Sequence, residues 1–179
     1  MGMEKVNAWQ LGTLATAWIV ENFTSKNTRI LELGCGKGTL ERAKNYDVLA
    51  VEHDKTYLAN EVKSILAPIV ENGTSTQHNE RGWYDTDALE SLRGQTFDLL
   101  IIDGPPGEIG RSGVLSVPWL LKLSRCIMVD DTHRESESYL AGAIEAMLMN
   151  VEREELIEES EWGLRKSTIL HWSEHRAES

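Results

Sequence analysis

The sequence has few cysteines and no long apolar run. Cys35 and Cys126 are the two cysteines, which is too few for a disulfide framework. We expect both to be small buried residues in a reducing compartment. No apolar run approaches the ~20 residues of a membrane-spanning helix, and the amino terminus lacks a basic segment followed by an apolar one. These absences predict a soluble, cytoplasmic protein with no membrane partner.

Basic residues are also scarce relative to acidic ones. The chain has 18 Lys and Arg against 29 Asp and Glu, a net charge of −11. Nucleic-acid binding draws most of its affinity from basic side chains that displace counterions, so the charge balance argues against a nucleic-acid partner. With 179 residues, 41% of them hydrophobic, the chain has the size of one folded domain. We expect that domain over residues 1–172, followed by a loose polar tail over 173–179. No oligomeric state is indicated.

Glycines concentrate where an apolar strand gives way to a helix. Gly34, Gly36 and Gly38 follow the apolar run that begins at Ile30. Glycines at alternate positions let the backbone approach a ligand closely, because no Cβ intervenes. A helix that starts near Thr39 directs its free N–H groups towards this loop. The next predicted strand, residues 48–51, brings Glu52 to its carboxyl end, where an acid can accept hydrogen bonds from a ribose.

The spacing of these glycines bears on the identity of the nucleotide. In the dinucleotide fingerprint G-x-G-x-x-G, the third glycine would fall on Thr39, so the fit is poor. The pattern E-x-G-x-G-x-G over residues 32–38 instead resembles motif I of the class I S-adenosylmethionine-dependent methyltransferases. A nicotinamide or flavin domain and a purely structural turn are the alternatives. The resemblance implies S-adenosylmethionine as the cofactor, held by Glu32, Gly34, Cys35, Gly36, Gly38, Glu52, His53, Asn79 and Asp103.

Helical and strand patterns alternate along the chain. Besides the helix that starts near Thr39, helical patterns cover residues 4–22, 55–66 with Asp54 as N-cap, and 114–123. Thr132 with Glu135 forms a predicted capping box for the helix that follows. Strand patterns cover residues 74–78, 97–102 and 126–129, and two more, 151–158 and 164–172, form a hairpin that turns near Gly163. This order predicts an α/β fold, a doubly wound, Rossmann-like, mostly parallel sheet with a C-terminal antiparallel hairpin strand.

Three carboxylates follow two of the predicted strands. Asp103 ends one of them, and Asp130 with Asp131 ends the next. Carboxylates in one crevice repel each other unless their pKa values rise, basic residues pair with them, or a cation binds. Oxygen ligands of this kind suit Mg²⁺, Mn²⁺ or Ca²⁺. The arrangement resembles the catechol-type O-methyltransferases, and the resemblance implies a divalent cation, Mg²⁺ or Mn²⁺, on these three residues. That family's lysine base would fall on Pro106.

A second resemblance covers residues 30–139. The run D-x-P-x-G at 103–107, the pair Gly110-Arg111 and the run D-x-x-R-x-x-E from Asp131 are similar to the plant glucuronoxylan and arabinogalactan 4-O-methyltransferases. Small bacterial methyltransferases share the D-G-P-P-G and V-D-D patterns. The resemblance implies a saccharide or other small-molecule acceptor, which the guanidinium of Arg111 could bind through an anionic group. The plant family's histidine falls on Asp130 here.

The function predicted from these patterns is O-directed methyl transfer from S-adenosylmethionine to a small or glycan-type acceptor. The predicted catalytic residues are Asp103, Arg111, Asp131 and His133. His133 is a candidate base because its ordinary pKa of about 6.5 suits proton transfer near neutrality, although an exposed helix residue would look the same. Trp83 and Trp119 are candidates for stacking on a ligand. The alternative function is an inactive S-adenosylmethionine-binding module that serves a partner protein.

Overall fold

A seven-stranded sheet forms the centre of the protein. The computed structural model describes residues 10–58, 61–71, 80–160 and 163–173. Within them the strands of the sheet are β1 (Arg29–Leu33), β2 (Asp47–Glu52), β3 (Lys63–Leu66), β6 (Leu99–Ile102), β7 (Cys126–Val129), β8 (Glu152–Ser160) and β9 (Gly163–His171). Their order across the sheet is β3-β2-β1-β6-β7-β9-β8. Two shorter strands, β4 (Ile69–Glu71) and β5 (Gly82–Tyr84), pair separately.

The direction of the strands agrees with the prediction. The strands from β3 to β7 in this order pair in parallel, whereas β9 is antiparallel to both β7 and β8. The mostly parallel sheet with a C-terminal antiparallel hairpin is therefore confirmed. The carboxyl ends of β1, β2, β6 and β7 meet at one edge, which is where a sheet of this type binds its ligand.

Helices cover both faces of the sheet. The described helices are α1 (Thr13–Asn22), α2 (Lys37–Ala43), α3 (Pro118–Leu121) and α4 (Glu135–Met147). Successive strand residues face opposite sides, so Ile30 belongs to the apolar cluster that contains α1, and Leu31 to the cluster that contains α4. In the described part of the chain, no helix combines the length and the apolar character needed to cross a bilayer.

The helix predicted over residues 55–66 is wrong. Asp54 does accept a hydrogen bond from Thr56 N at 2.8 Å, but the turn that follows is a single 3₁₀ turn, Lys55–Tyr57. Lys63–Leu66 is instead a strand parallel to β2. Its backbone satisfies the open edge of β2, and this tertiary pairing overrides the helical spacing of its apolar residues. The strand predicted at 74–78 lies outside the described residues.

Three other boundaries differ from the predictions. Residues 10–12 precede α1, so the predicted helix over 4–22 starts too early in the described part of the chain. The predicted helix over 114–123 divides into a 3₁₀ turn, Ser112–Ser116, and α3, because Pro118 disfavours a helical backbone at Val117. The prediction of a capping box at Thr132 is wrong as well. The Thr132 hydroxyl lies 2.9 Å from the Thr168 hydroxyl of β9 and makes no cap for α4.

Candidate active site

A cavity of about 760 Å³ opens where the parallel strands end. This volume falls in the range of small-molecule sites, roughly 300–1,000 Å³. The loop after β1, the acid at the end of β2, the loop after β6 and the acidic pair after β7 all contribute to its wall. The lining side chains used below are Glu32, Arg42, Glu52, His53, Tyr84, Asp103, Glu108, Arg111, Asp130, Asp131, Arg134, Ser136, Glu137 and Arg165.

The glycine loop forms the part of the wall after β1. Gly34 has φ +101°, a left-handed backbone conformation that side chains rarely adopt. A Cβ at this position would also lie 3.1 Å from Gly104 N. Gly36 N donates to the Thr39 hydroxyl at 2.9 Å, which ties the loop to the first turn of α2. The loop is thus fixed in a shape that presents bare backbone to the cavity.

A buried ion pair supports the loop from below. Glu32 accepts hydrogen bonds from both Nε and Nη2 of Arg42, and its Oε1 also accepts from the Thr39 hydroxyl at 3.1 Å. The Glu32 and Arg42 side chains are both buried. A paired contact of this geometry fixes orientation as well as charge. Sequence reasoning missed Arg42, and the only signal for it was a basic residue on the first helix after the motif.

Glu52 lies beside the glycine loop. Its Oε1 accepts from His53 N at 2.7 Å and from Asp54 N at 2.9 Å, and its Oε2 accepts from Cys35 N at 3.0 Å. A carboxylate offers about four acceptor positions, so Oε2 retains capacity for one further donor. The Nδ1 atom of His53 lies 2.6 Å from Oε1, but the angles do not allow a hydrogen bond. The buried carboxylate is therefore oriented by backbone groups towards the cavity.

Arg111 lies at the centre of the acidic residues. Its Nη2 donates to Asp131 Oδ2 at 3.2 Å and to Asp103 Oδ1 at 3.4 Å. Nη1 donates to Asp130 O at 3.1 Å, and Nε donates to Pro105 O at 3.2 Å. Only 4% of the residue is exposed. All three guanidinium nitrogens are thus engaged by the ends of β6 and β7.

Two further arginines border the same carboxylates. Arg134 Nη1 lies 3.1 Å from Asp131 Oδ2, and Arg165 Nη2 lies 3.4 Å from Asp130 Oδ2. Asp130 also accepts from the Ser167 hydroxyl at 2.5 Å. Asp131 has φ 60°, a left-handed conformation that is uncommon outside glycine. Residues held in such conformations cluster at functional sites.

Acidic groups outnumber basic ones in this cluster. The carboxylates of Asp103, Asp130, Asp131 and Glu137 meet the guanidinium groups of Arg111, Arg134 and Arg165. Burial raises the pKa of Asp103 to about 8, and the neighbouring carboxylates add to the effect while Arg111 opposes it. Burial also raises the pKa of Asp130. Burial thus favours a retained proton on one of these two aspartates, which would offset the excess acid.

Comparison with known proteins identifies the fold. No protein-family model matches the sequence, and a search of curated proteins finds no significant match. Solved structures do match. An O-methyltransferase from Bacillus cereus in complex with S-adenosylhomocysteine has a TM-score of 0.64 at 16% sequence identity, over 94% of this chain and 84% of that one. The chain has the fold of the class I S-adenosylmethionine-dependent methyltransferases.

Other structures with the methyltransferase fold match almost as well. An O-methyltransferase from Streptomyces achromogenes involved in tomaymycin synthesis, in complex with S-adenosylmethionine, has a TM-score of 0.59 at 16% identity, over 87% of this chain and 77% of that one. A human methyltransferase 10 domain containing protein has a TM-score of 0.58 at 16% identity, over 89% and 81% of the two chains. The narrower resemblance to the plant glucuronoxylan 4-O-methyltransferases is not confirmed.

A divalent cation does not fit the acidic cluster as it stands. One carboxylate oxygen each from Asp103, Asp130 and Asp131 lies within 4.8 Å of the others. A guanidinium nitrogen of Arg111 already lies within hydrogen-bonding distance of two of these carboxylates. A cation and a guanidinium group cannot share this position, because like charges in a buried site repel strongly.

The structure brings together most of the predicted site residues of this methyltransferase fold. The predicted positions in the glycine loop, with Glu52, His53, Asp103, Arg111, Asp130 and Asp131, all line the cavity. His133 does not, because it is exposed on the segment before α4. Asn79 lies outside the described residues. Trp83 is buried against Tyr84, and Trp119 packs under Arg93, so neither is among the residues that line the cavity.

Sequence reasoning missed Tyr84, which lines the wall, and the support that Glu80 gives to the loop of Arg111. Tyr84 lines the cavity beside Gly104, and burial raises the pKa of its phenol well above the ordinary value, so the hydroxyl stays neutral. Glu80 accepts from Arg111 N at 3.1 Å and from Ser112 N at 3.2 Å. The sequence placed Glu80 in a loop at the ligand edge of the sheet but gave no sign of its partners, which are 31 and 32 positions away.

Proposed function

We propose that the protein is a methyltransferase that uses S-adenosylmethionine and methylates an oxygen of a small, anionic acceptor of saccharide type. The observation that carries the proposal is the position of Glu52, which accepts a hydrogen bond from the glycine loop and lines the cavity. That pairing of an acid with bare backbone suits a ribose and the chain attached to it. The O-methyltransferases among the structures with this fold support transfer to oxygen.

The residues present fit the cofactor. Glu52 would accept from the ribose hydroxyls, and the backbone of residues 34–38 would enclose the amino-acid portion, where a Cβ on Gly34 would fill the space against Gly104. Asp103 would face the positively charged part of the cofactor from the end of β6. When bound, S-adenosylmethionine supplies an electrophilic methyl group on a sulfonium, so the protein's task is to align the acceptor and accept its proton.

Arg134 suits the anionic group of the acceptor better than Arg111 does. Arg111 is buried and its nitrogens are engaged, whereas Arg134 lines the cavity with 48% of its side chain exposed. An exposed guanidinium can bind a carboxylate through two parallel hydrogen bonds. Glu108 and Ser136 line the same side and supply polar atoms for hydroxyl groups. This arrangement favours a small sugar acid over a polyanion, which the net charge of −11 would repel.

Asp103 is the group placed to accept the acceptor's proton. It lines the cavity, and 22% of its side chain is exposed there. Burial raises the pKa of Asp103 to about 8, so its ionised form is a stronger base than an ordinary aspartate and becomes populated as the pH approaches 8. Arg111 holds Asp103 in place, and Asp131 after β7 holds Arg111 in turn. The proton would therefore pass to a carboxylate oxygen of Asp103.

Two measurements test the proposal. Titration calorimetry should show binding of S-adenosylmethionine and S-adenosylhomocysteine but not of NAD. Transfer of a radiolabelled methyl group should then be assayed on uronic acids, catechols, tRNA and duplex DNA, with label expected in the uronic acids. Label mainly in the nucleic acids would overturn the acceptor assignment. No label in any acceptor, with tight cofactor binding intact, would favour an inactive cofactor-binding module that serves a partner protein.

A further inference from the structure

We infer that Arg111 takes the place of a divalent cation, so that the acidic cluster after β6 and β7 works without metal. The chain carries three carboxylates whose oxygens lie close enough to bind one cation, and a built-in guanidinium group lies among them. The inference deepens the proposed function, and only its catalytic consequence rests on that function. The occupancy of the cluster can be measured without methyl transfer.

Arg111 contacts oxygen atoms at the ends of both strands, as a cation bound in this cluster would. Its Nη2 joins Asp103 of β6 to Asp131 after β7, at 3.4 and 3.2 Å. The other two nitrogens donate to backbone oxygens of Pro105 and Asp130. The single charge is thus distributed over both strand ends, as a metal ion would distribute its charge. A lysine could supply the charge but not the planar set of donors.

The loop that carries Arg111 is built to deliver it there. Glu80 accepts from the backbone N–H of Arg111 and of Ser112, and from the Ser112 hydroxyl. Gly110 has φ +114°, and a Cβ there would lie 2.3 Å from the Glu80 side chain. The loop can therefore take this course only with glycine at the position before the arginine. Arg111 is thus held through both its backbone N–H and its guanidinium group, so it is a permanent part of the cluster.

Removal of the guanidinium group should convert the cluster into a metal site. In Arg111→Ala, Asp103 and Asp131 lose the counter-ion that they share, and carboxylate oxygens released in this way favour Mn²⁺ or Mg²⁺. Arg42→Ala is the matched control. It removes a second buried arginine from the same cavity, but its direct partner is the single carboxylate of Glu32. We expect that control to lose stability without gaining a metal.

Mn²⁺ binding distinguishes the outcomes. It is measured at pH 8.5 from the decrease in the electron paramagnetic resonance signal of free Mn²⁺. We expect no bound Mn²⁺ in the wild type, Arg111→Lys or Arg42→Ala, and one Mn²⁺ per chain in Arg111→Ala. The added substitution Asp131→Asn should abolish that binding. If Arg111→Ala unfolds without metal, Mn²⁺ should restore its fold in circular dichroism, since a ligand that binds only the native state stabilises it.

Two results would overturn the inference. One is a single Mn²⁺ bound to the wild type and lost in Asp131→Asn, because the cluster would then be a true metal site. The other is an Arg111→Ala protein that takes up no Mn²⁺, whether folded or unfolded. A failure of the methyl-transfer assay affects neither measurement. Where that assay does succeed, wild-type turnover should be the same with and without excess EDTA.

Discussion

Gly34 and Gly104 approach each other so closely that a Cβ on Gly104 would lie 2.7 Å from the Cα of Gly34. One glycine follows β1 and the other follows β6, so their contact joins the glycine loop to the loop that carries Asp103. The same added Cβ would lie 2.7 Å from the Tyr84 hydroxyl. The cavity wall at this point is therefore backbone packed on backbone.

Gly104→Ala is expected to destabilise the protein and weaken cofactor binding. Overpacking of this kind costs roughly 1–3 kcal/mol in free energy of unfolding, and the displaced loop would narrow the cavity. Gly142→Ala is the matched control. An added Cβ at Gly142 meets nothing within 4 Å, and alanine in a helix is favoured over glycine by roughly 0.5–1 kcal/mol. Urea denaturation should move the two variants in opposite directions; equal behaviour would contradict the close packing.

Glu52→Gln is expected to weaken the binding of S-adenosylmethionine. The substitution removes the negative charge from the acceptor assigned to the ribose, and hydrogen bonds to charged groups are worth ~1.5–3 kcal/mol. The dissociation constant should rise by roughly 10- to 150-fold. Glu41→Gln, which changes an exposed glutamate paired with Lys44 on α2, should leave it unchanged. If calorimetry shows equal affinities for the two variants, the assignment of Glu52 to the ribose is wrong.

The buried pair of Glu32 and Arg42 should behave as a unit. Arg42→Leu leaves a buried carboxylate without its partner, which costs about 3–5 kcal/mol. The double variant Glu32→Leu/Arg42→Leu removes both charges and should recover most of that loss, because an apolar pair avoids the desolvation of two ions. A double-mutant cycle by urea denaturation measures the coupling. Additive losses would show that the two side chains act independently.

Asp103 should make the protein less stable as pH rises. Burial raises the pKa of Asp103 from 3.8 to about 8, so the folded protein holds a proton that the unfolded chain releases between those values. Where the folded state binds more protons, the free energy of unfolding falls with rising pH. Asp103→Asn removes this titration. Its urea midpoint should change less than that of the wild type between pH 5 and pH 8, and parallel curves would argue against a raised pKa.

Arg134→Gln should raise KM for an anionic acceptor by about tenfold, the lower end of the value for a charged hydrogen bond. Stability should hardly change, because exposed ion pairs contribute about 0–1 kcal/mol. Arg81→Gln removes a similarly exposed arginine, paired with Glu71 and absent from the cavity wall, and should leave KM unchanged. An equal rise in KM for a neutral acceptor would contradict a charge-based role for Arg134.

Residues close together in the sequence determined the glycine loop and the position of Glu52. Gly34 needs a left-handed backbone, and Glu52 ends a strand whose direction follows from the order of the elements. Both facts depend on residues within a short segment, so the sequence alone predicted the loop, the acid and the parallel sheet. The apolar strand that ends at Val129 was predicted with correct bounds for the same reason, since a short buried run between polar residues has few alternatives.

Only the tertiary structure decided which charges meet. Lys63–Leu66 pairs with the open edge of β2 as a strand, although the spacing of its apolar residues predicted a helix. Arg111 was predicted to bind the acceptor, yet it lies buried among carboxylates from two other strand ends. Arg42 of α2 pairs with Glu32 of β1. Spacing along the chain indicates which residues share a strand or a helix face. It does not indicate which charged side chains are buried together, because a buried charge is paired only by the groups that packing places beside it.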